Sequence, residues 1–134
     1  LSDSNDLLAA ATAVRNHAYA PHSGYQVGAA VRAANGKTYV GCNIENDTYG
    51  LTLCAERAAI AAMVSDGQTE VTEVVVVTED AGSPCGLCRQ TLVQFSQDPA
   101  SVTVTCAGIN GTKQVFVLDE LLPHAFRLAK IGSL

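Results

Sequence analysis

The sequence predicts an α/β domain: three layers, α/β/α, around a five-stranded mixed sheet. Three observations carry this reading. The chain opens on apolar residues at helical spacing. Val71–Thr78 is dominated by β-branched residues and lacks polar alternation, as suits a central strand buried on both faces. Two Asn-Gly pairs, Asn35-Gly36 and Asn110-Gly111, each stand between two strand-like segments.

In order along the chain, residues 6–19 place Leu7, Leu8, Ala11, Val14 and Ala18 on one helix face. Asp3, Ser4 or Asn5 is available to cap that helix, and Ala20-Pro21-His22-Ser23-Gly24 breaks it. Residues 26–34 and 37–43 read as strands. Their turn is Asn35-Gly36, two residues that tolerate positive φ. Residues 53–64, rich in Ala and Leu-type side chains, read as a helix ended by Asp66-Gly67. After the Val71–Thr78 strand, Pro84 is expected to open a helix running to about Ser96, since its missing N–H costs nothing there. Residues 101–107 and 113–118 are two more strands around Asn110-Gly111. Residues 118–122 and 125–130 read as helical, interrupted at Pro123. The order α-β-β-α-β-α-β-β-α implies a mixed sheet with helices on both faces.

With 134 residues, the chain is expected to form one domain, 1–134, large enough for a real core. No apolar run is long enough to span a bilayer, so no membrane partner is expected. The start, Leu1-Ser2-Asp3-Ser4-Asn5-Asp6, carries neither the basic nor the apolar region of a signal peptide, and a cytoplasmic location is expected. The formal net charge is −5, and Lys and Arg together number only 8. That argues against a nucleic-acid partner, which needs cations against phosphates. A small uncharged substrate needs no such field. The five cysteines are an odd count without disulfide-framework spacing, so reduced thiols are expected. Cys42 and Cys106 read as small buried hydrophobes in strands.

The other three cysteines carry chemistry. They stand in Cys54-Ala55-Glu56-Arg57 and Pro84-Cys85-Gly86-Leu87-Cys88. Each motif falls at a predicted helix N-terminus, where free N–H groups and the helix dipole favour thiolate. Cys54, Cys85 and Cys88 offer three soft ligands to Zn²⁺, and three ligands leave a tetrahedral ion one open position, the mark of a catalytic site. Glu56, two residues from a ligand, can lie beside a water at that position without binding the metal. A closed structural site would need a fourth ligand, such as His17, His22, His124 or a spare Cys, and none stands at regular finger spacing. Three thiolates leave a zinc site net negative. The guanidinium of Arg57 can donate to the sulfurs and offset that charge. Arg89, His17 and His124 read as structural.

The arrangement of a His or Cys, one residue, a Glu and then Pro-Cys-x-x-Cys matches the signature of the zinc deaminases. In detail the chain resembles the cytidine deaminases, the small homotetrameric type acting on free nucleosides, from about residue 19 to residue 126. The matching segments are Val27-Gly28-Ala29-Ala30, Gly41-Cys42-Asn43-Ile44-Glu45-Asn46, Cys54-Ala55-Glu56-Arg57, Pro84-Cys85-Gly86-Leu87-Cys88-Arg89-Gln90 and Leu121-Leu122-Pro123. The resemblance implies a zinc-dependent hydrolytic deamination of cytidine and deoxycytidine to the uridines, in pyrimidine salvage, with one Zn²⁺ per subunit. Glu56 would be the general acid and base that carries protons to N3 and to the leaving amino group. Asn43 and Glu45, alternating on one face of a strand end, would hold the 3′-hydroxyl of the ribose. Ala55 and Tyr25 would also contact the nucleoside.

The resemblance further implies a homotetramer with shared active sites. Phe126 would stack on the base from a neighbouring subunit, and Tyr49 would face a neighbour's site. Three positions depart from the family pattern. Tyr25 stands where the family usually has Phe, and His22 where it often has Tyr. Arg127-Leu128 replaces the usual Gly-Pro. Other readings of the same residues are a deaminase of a modified nucleoside, an editor of polynucleotides, and a non-catalytic zinc module used for assembly. The sugar-facing Asn43 and Glu45, the acidic charge and Glu56 weigh against these in turn.

Overall fold

Val71–Thr78 forms the central strand of the sheet and divides the core in two. Its side chains alternate: Val74 and Val76 face one layer of helices, Val75 and Val77 the other. The computed structural model describes residues 2–128, with side chains from residue 5 onward. The elements are α1 (Ser2–Arg15), β1 (Gly28–Ala33), β2 (Thr38–Cys42), α2 (Ala55–Ser65), β3 (Val71–Thr78), α3 (Gly86–Gln94), β4 (Thr103–Gly108), β5 (Lys113–Val117) and α4 (Leu118–Leu121). The strands lie in the order β2-β1-β3-β4-β5. Only β3 and β4 run parallel, joined through α3, and the other pairs are antiparallel. The expected five-stranded mixed sheet between helical layers is therefore present.

Helix α1 covers one face, where Leu7 and Ala11 pack on Ala30, Val75, Val77 and Ala107. The opposite face carries the larger core. There Ala55, Ala59, Ile60 and Met63 of α2 and Leu92 and Val93 of α3 pack on Ala29, Val31, Val74, Val76 and Val104. Gly41 sets how closely α2 sits on the sheet. A Cβ there would lie 2.4 Å from the Ala59 nitrogen and 2.6 Å from the Ala55 carbonyl oxygen, so only glycine admits the helix backbone. This contact fixes the first turn of α2, which carries Ala55 and Glu56.

Several local expectations are corrected. Helix α1 begins at Ser2, so Asp3, Ser4 and Asn5 lie inside it and do not cap it. It ends at Arg15 because Tyr19 is drawn into a parallel bridge with Ile44, accepting from Glu45 N and donating to Asn43 O. The Asn-Gly hairpins are present, but each is a three-residue loop with only the glycine at positive φ, Gly36 at 89° and Gly111 at 93°. In each, the asparagine side chain instead accepts from the backbone N–H two residues on: Asn35 from Lys37, Asn110 from Thr112. The loop is a turn closed by a glycine bulge. Pro84 does not open α3: Cys85 is the extended N-cap, and the helix starts at Gly86.

The helix expected over 125–130 is absent through Leu128, and residues 129 and 130 lie outside the described residues. Arg127 instead donates to the carbonyls of Val93 and Ser96, satisfying the C-terminal end of α3. Cys106 is fully buried in β4, as expected, and Cys42 is half-buried at the end of β2. No helix among the described residues is long and apolar enough to cross a membrane.

Candidate metal centre

Cys54 is the N-cap of α2 and Cys85 the N-cap of α3, with Cys88 in the first turn of α3. The sheet brings these two helix ends together. Cys54 Sγ lies 3.9 Å from Cys85 Sγ, and Cys85 Sγ lies 3.5 Å from Cys88 Sγ. All three sulfurs fall within 4.8 Å of one another. A tetrahedral zinc ion with Zn–S bonds of ~2.3 Å holds its sulfurs about 3.8 Å apart, so this donor set fits that ion. Among the described residues no other His, Cys, Asp or Glu joins the group. His17, His22 and His124 all stay out of it, as a site with an open position requires.

The electrostatics favour thiolate at Cys54. The Cys54 thiol is pushed down to about 5, chiefly by hydrogen bonding with Cys88 and then by the guanidinium of Arg57. Arg57 donates to Cys54 Sγ at 3.7 Å and to the Thr52 carbonyl at 3.1 Å, and the neighbouring sulfur raises its own pKa in turn. Cys88 moves upward, because it donates to Cys54 and lies buried beside the charges of Glu56 and Cys54. A divalent ion held there requires the sulfurs as thiolates.

Glu56 is 5 % exposed at the start of α2. Burial raises its carboxyl pKa, and the charge of Cys54 adds to the shift, so the protonated form is favoured more than for a surface glutamate. A carboxyl beside the three sulfurs can serve as proton acceptor and donor.

Cys54, Cys85, Cys88, Glu56 and Ala55 line a cavity of about 290 Å³ together with Tyr25, Asn43 and Glu45. That volume is at the small end for small-molecule sites. Asn43 is buried; its Oδ1 accepts from Val27 N at 2.9 Å and its Nδ2 donates to the Tyr25 carbonyl at 2.9 Å. One amide hydrogen and one lone pair remain for a ligand. Glu45 accepts from His22 N at 2.8 Å, Ser23 N at 3.1 Å and the Ser23 hydroxyl, and these bonds hold its pKa below the usual carboxylate range, the hydroxyl most. Tyr25 donates its hydroxyl to Asp80 Oδ1 at 2.6 Å.

Two expected site residues do not reach this cavity. Phe126 is 67 % exposed and Tyr49 is 75 % exposed, both on the outside of the chain. Tyr49 packs edge-on against the His22 ring, 5.6 Å between centroids. Arg89 is structural, as expected: it donates to the Pro84 and Leu121 carbonyls and to Ser83 Oγ, bracing the loop that carries Cys85.

Sequence reasoning missed Ser23, Thr78, Gly82 and Ser83, which also line the cavity, and Asp80 behind them. Thr78 ends β3, and the others lie in short polar loops, where no periodicity marks a side chain as inward. The Pro-His-Ser-Gly turn was the one available signal, because Ser in a turn commonly bonds nearby polar groups.

The family model for the "Cytidine and deoxycytidylate deaminase zinc-binding region" matches residues 1–114. The cytidine deaminase of Mycobacterium tuberculosis is 43 % identical over 129 residues, covering 94 % of this chain and 91 % of that protein. The cytidine deaminase of Sporosarcina psychrophila is 40 % identical over 126 residues, covering 92 % of this chain and 91 % of that protein. Among solved structures, the crystal structure of cytidine deaminase from Burkholderia pseudomallei superposes with a TM-score of 0.85 at 38 % identity, over 91 % of this chain and 98 % of that one.

Proposed function

Given that the chain belongs to the cytidine and deoxycytidylate deaminase family, we propose that the cavity beside Cys54, Cys85 and Cys88 is its active site and that Glu56 is the proton carrier. The reaction is the hydrolytic deamination of cytidine, with zinc as cofactor. The observation that carries the residue assignment is a single buried carboxyl, Glu56, lining the same cavity as the three sulfurs.

Cys54, Cys85 and Cys88 would hold the zinc ion, which would supply Lewis-acid chemistry to the attacking water. Glu56 takes a proton from the attacking water and delivers it to N3 of the base, which makes C4 electrophilic. The water oxygen bonds to C4. Glu56 then passes the second proton to the amino nitrogen, the C4–N bond breaks, and ammonia leaves with uridine as product. The raised pKa of Glu56 suits both transfers. Arg57, donating to Cys54 Sγ, offsets negative charge at the sulfurs. Asn43 and Glu45 hold the ribose 3′-hydroxyl through the amide hydrogen and lone pairs that their backbone partners leave over. Tyr25 and Ala55 complete the wall around the nucleoside.

The family model covers nucleoside and nucleotide deaminases alike. No Lys or Arg lines this cavity, and its charged side chains outside the sulfur group are Glu45 and Glu56. A 5′-phosphate would meet carboxylates and no cation, so the substrates are the neutral nucleosides cytidine and deoxycytidine. Two further assignments belong to this reading. Outward-facing Phe126 and Tyr49 complete a neighbour's site in a homotetramer. The need for free thiolates suits a reducing, cytoplasmic setting, and the whole chain acts as one catalytic domain.

The test is the ultraviolet absorbance change of purified protein with cytidine, deoxycytidine, deoxycytidylate and cytosine in parallel. Turnover of the two nucleosides, with deoxycytidylate and cytosine at least about a hundredfold slower in kcat/KM, is the expected pattern, in line with the loss of polar contacts a site is built to make. Comparable turnover of deoxycytidylate would contradict the nucleoside assignment, and comparable turnover of cytosine would contradict the roles of Asn43 and Glu45.

A further inference from the structure

The wall of the cavity is tied together by a continuous run of hydrogen bonds that begins at Glu45 and ends beside the metal loop. Ser23 donates its hydroxyl to Glu45 and accepts from Tyr25 N at 3.0 Å. Tyr25 then reaches across with its own hydroxyl to Asp80 Oδ1 at 2.6 Å. Thr78 Oγ1 stands 3.5 Å from the same carboxylate oxygen and accepts from Gly82 N at 3.0 Å. Gly82 precedes Ser83-Pro84-Cys85, so the run joins the loop of residues 22–25 to the loop that delivers Cys85. The fit is close: a Cβ on Gly82 would lie 2.8 Å from the Tyr25 hydroxyl oxygen. The second loop is also held out of its relaxed form, since Ala81 has φ of 64°, a left-handed value that a non-glycine residue rarely adopts.

Of these bonds, Tyr25 to Asp80 is the one that spans the two loops. A phenol donating to a carboxylate is charge-assisted and stronger than a neutral pair. The remaining bonds are local to one loop or run to Glu45. We propose that Tyr25 and Asp80 are a positioning pair: they fix the sugar-side wall of the cavity relative to the loop carrying Cys85. Asp80 acts through Tyr25 and touches neither substrate nor metal. This assignment rests on the nucleoside-deaminase reading of the cavity and adds to it a residue, Asp80, and a role for the tyrosine hydroxyl.

The pair predicts a particular pattern in variants of the zinc-loaded enzyme. Tyr25→Phe and Asp80→Ala should each raise KM for cytidine, and the Kd for uridine measured by calorimetry, about three- to tenfold, the net worth of one typical intramolecular hydrogen bond. The fall in kcat should be smaller than the rise in KM. The double variant should be no worse than the more affected single, since both remove one interaction. Asp80→Asn, which keeps a carbonyl acceptor, should restore most of the affinity. A residue that merely supports the fold would not separate KM from kcat or be rescued in this way.

Single variants with unchanged KM and Kd, or effects that multiply in the double variant, would overturn the pairing. Hydrogen exchange at the Gly82 amide gives a readout independent of turnover. It should speed up in both single variants, and unchanged exchange would also overturn the proposal. Wild-type protein that leaves cytidine intact would instead refute the deaminase reading, while the exchange experiment would still decide the pairing.

Discussion

The two ends of the cavity are built by different means. At the metal end, every functional side chain sits on or next to a helix N-terminus: Cys54 and Cys85 as N-caps, Glu56 and Cys88 in first turns. The sheet and the close approach of α2 at Gly41 hold those positions. At the sugar end, Ser23, Tyr25, Glu45 and Asp80 come from loops and are held by hydrogen bonds to one another. Core packing thus fixes the proposed metal end, and polar contacts shape the proposed sugar end. Changes at the metal end should therefore abolish turnover, and changes at the sugar end should weaken binding.

The largest effect expected is from stripping the metal. Incubation with a strong chelator should take activity to background, and added Zn²⁺ should restore it. Activity that survives with zinc shown absent would break the comparison at its first term. Next is Asn43→Ala. It removes the proposed ribose contact and also leaves Val27 N–H and the Tyr25 carbonyl without their buried partner. The expected stability loss is about 1–3 kcal/mol, with KM rising more than kcat falls. Steady-state kinetics and a denaturant melt read both, and a loss confined to kcat would move Asn43 to the chemical end.

Gly41→Ala probes the metal end from a distance. Its methyl must push α2 off β2, at a cost of about 1–3 kcal/mol typical of overpacking, and Glu56 moves with the helix. A lower melting temperature with a reduced kcat is expected, and unaltered kcat in the folded variant would show that α2 can shift without disturbing the site. The smallest effect concerns Glu45. Its folded pKa is depressed, first by the Ser23 hydroxyl and then by backbone N–H groups. The folded state therefore binds that proton less readily than the unfolded chain. Its contribution is present above the ordinary glutamate value of ~4.3 and lost as pH falls through the lower folded value. The melting-temperature gap between wild type and Glu45→Gln should be open at pH 6 and shrink below about pH 4. A gap that widens in acid would reverse the sign.

This division also decides what could be read from the residues alone. The sheet was legible because Val71–Thr78 has one reading, and the two Asn-Gly turns gave the hairpins, though in a three-residue form that side-chain bonds from Asn35 and Asn110 select. The metal group was legible because a helix N-terminus has a sequence signature and the ligand spacing is short. Asp80 was not. It lies 55 residues from Tyr25, and nothing in a polar loop states which carboxylate a tyrosine will find. Nor was the end of the chain: Ala125 to Leu128 has helical spacing, but Arg127 binds the open carbonyls of α3 instead.

In the proposed division of labour Glu56 carries the protons while the three cysteines carry the metal. That division is tested most directly by Glu56→Gln, measuring cytidine turnover and zinc content on the same preparation. A full zinc complement is expected, with kcat lower by about 10²–10⁴, the contribution of a positioned general acid and base. Near-normal turnover with zinc in place would contradict it.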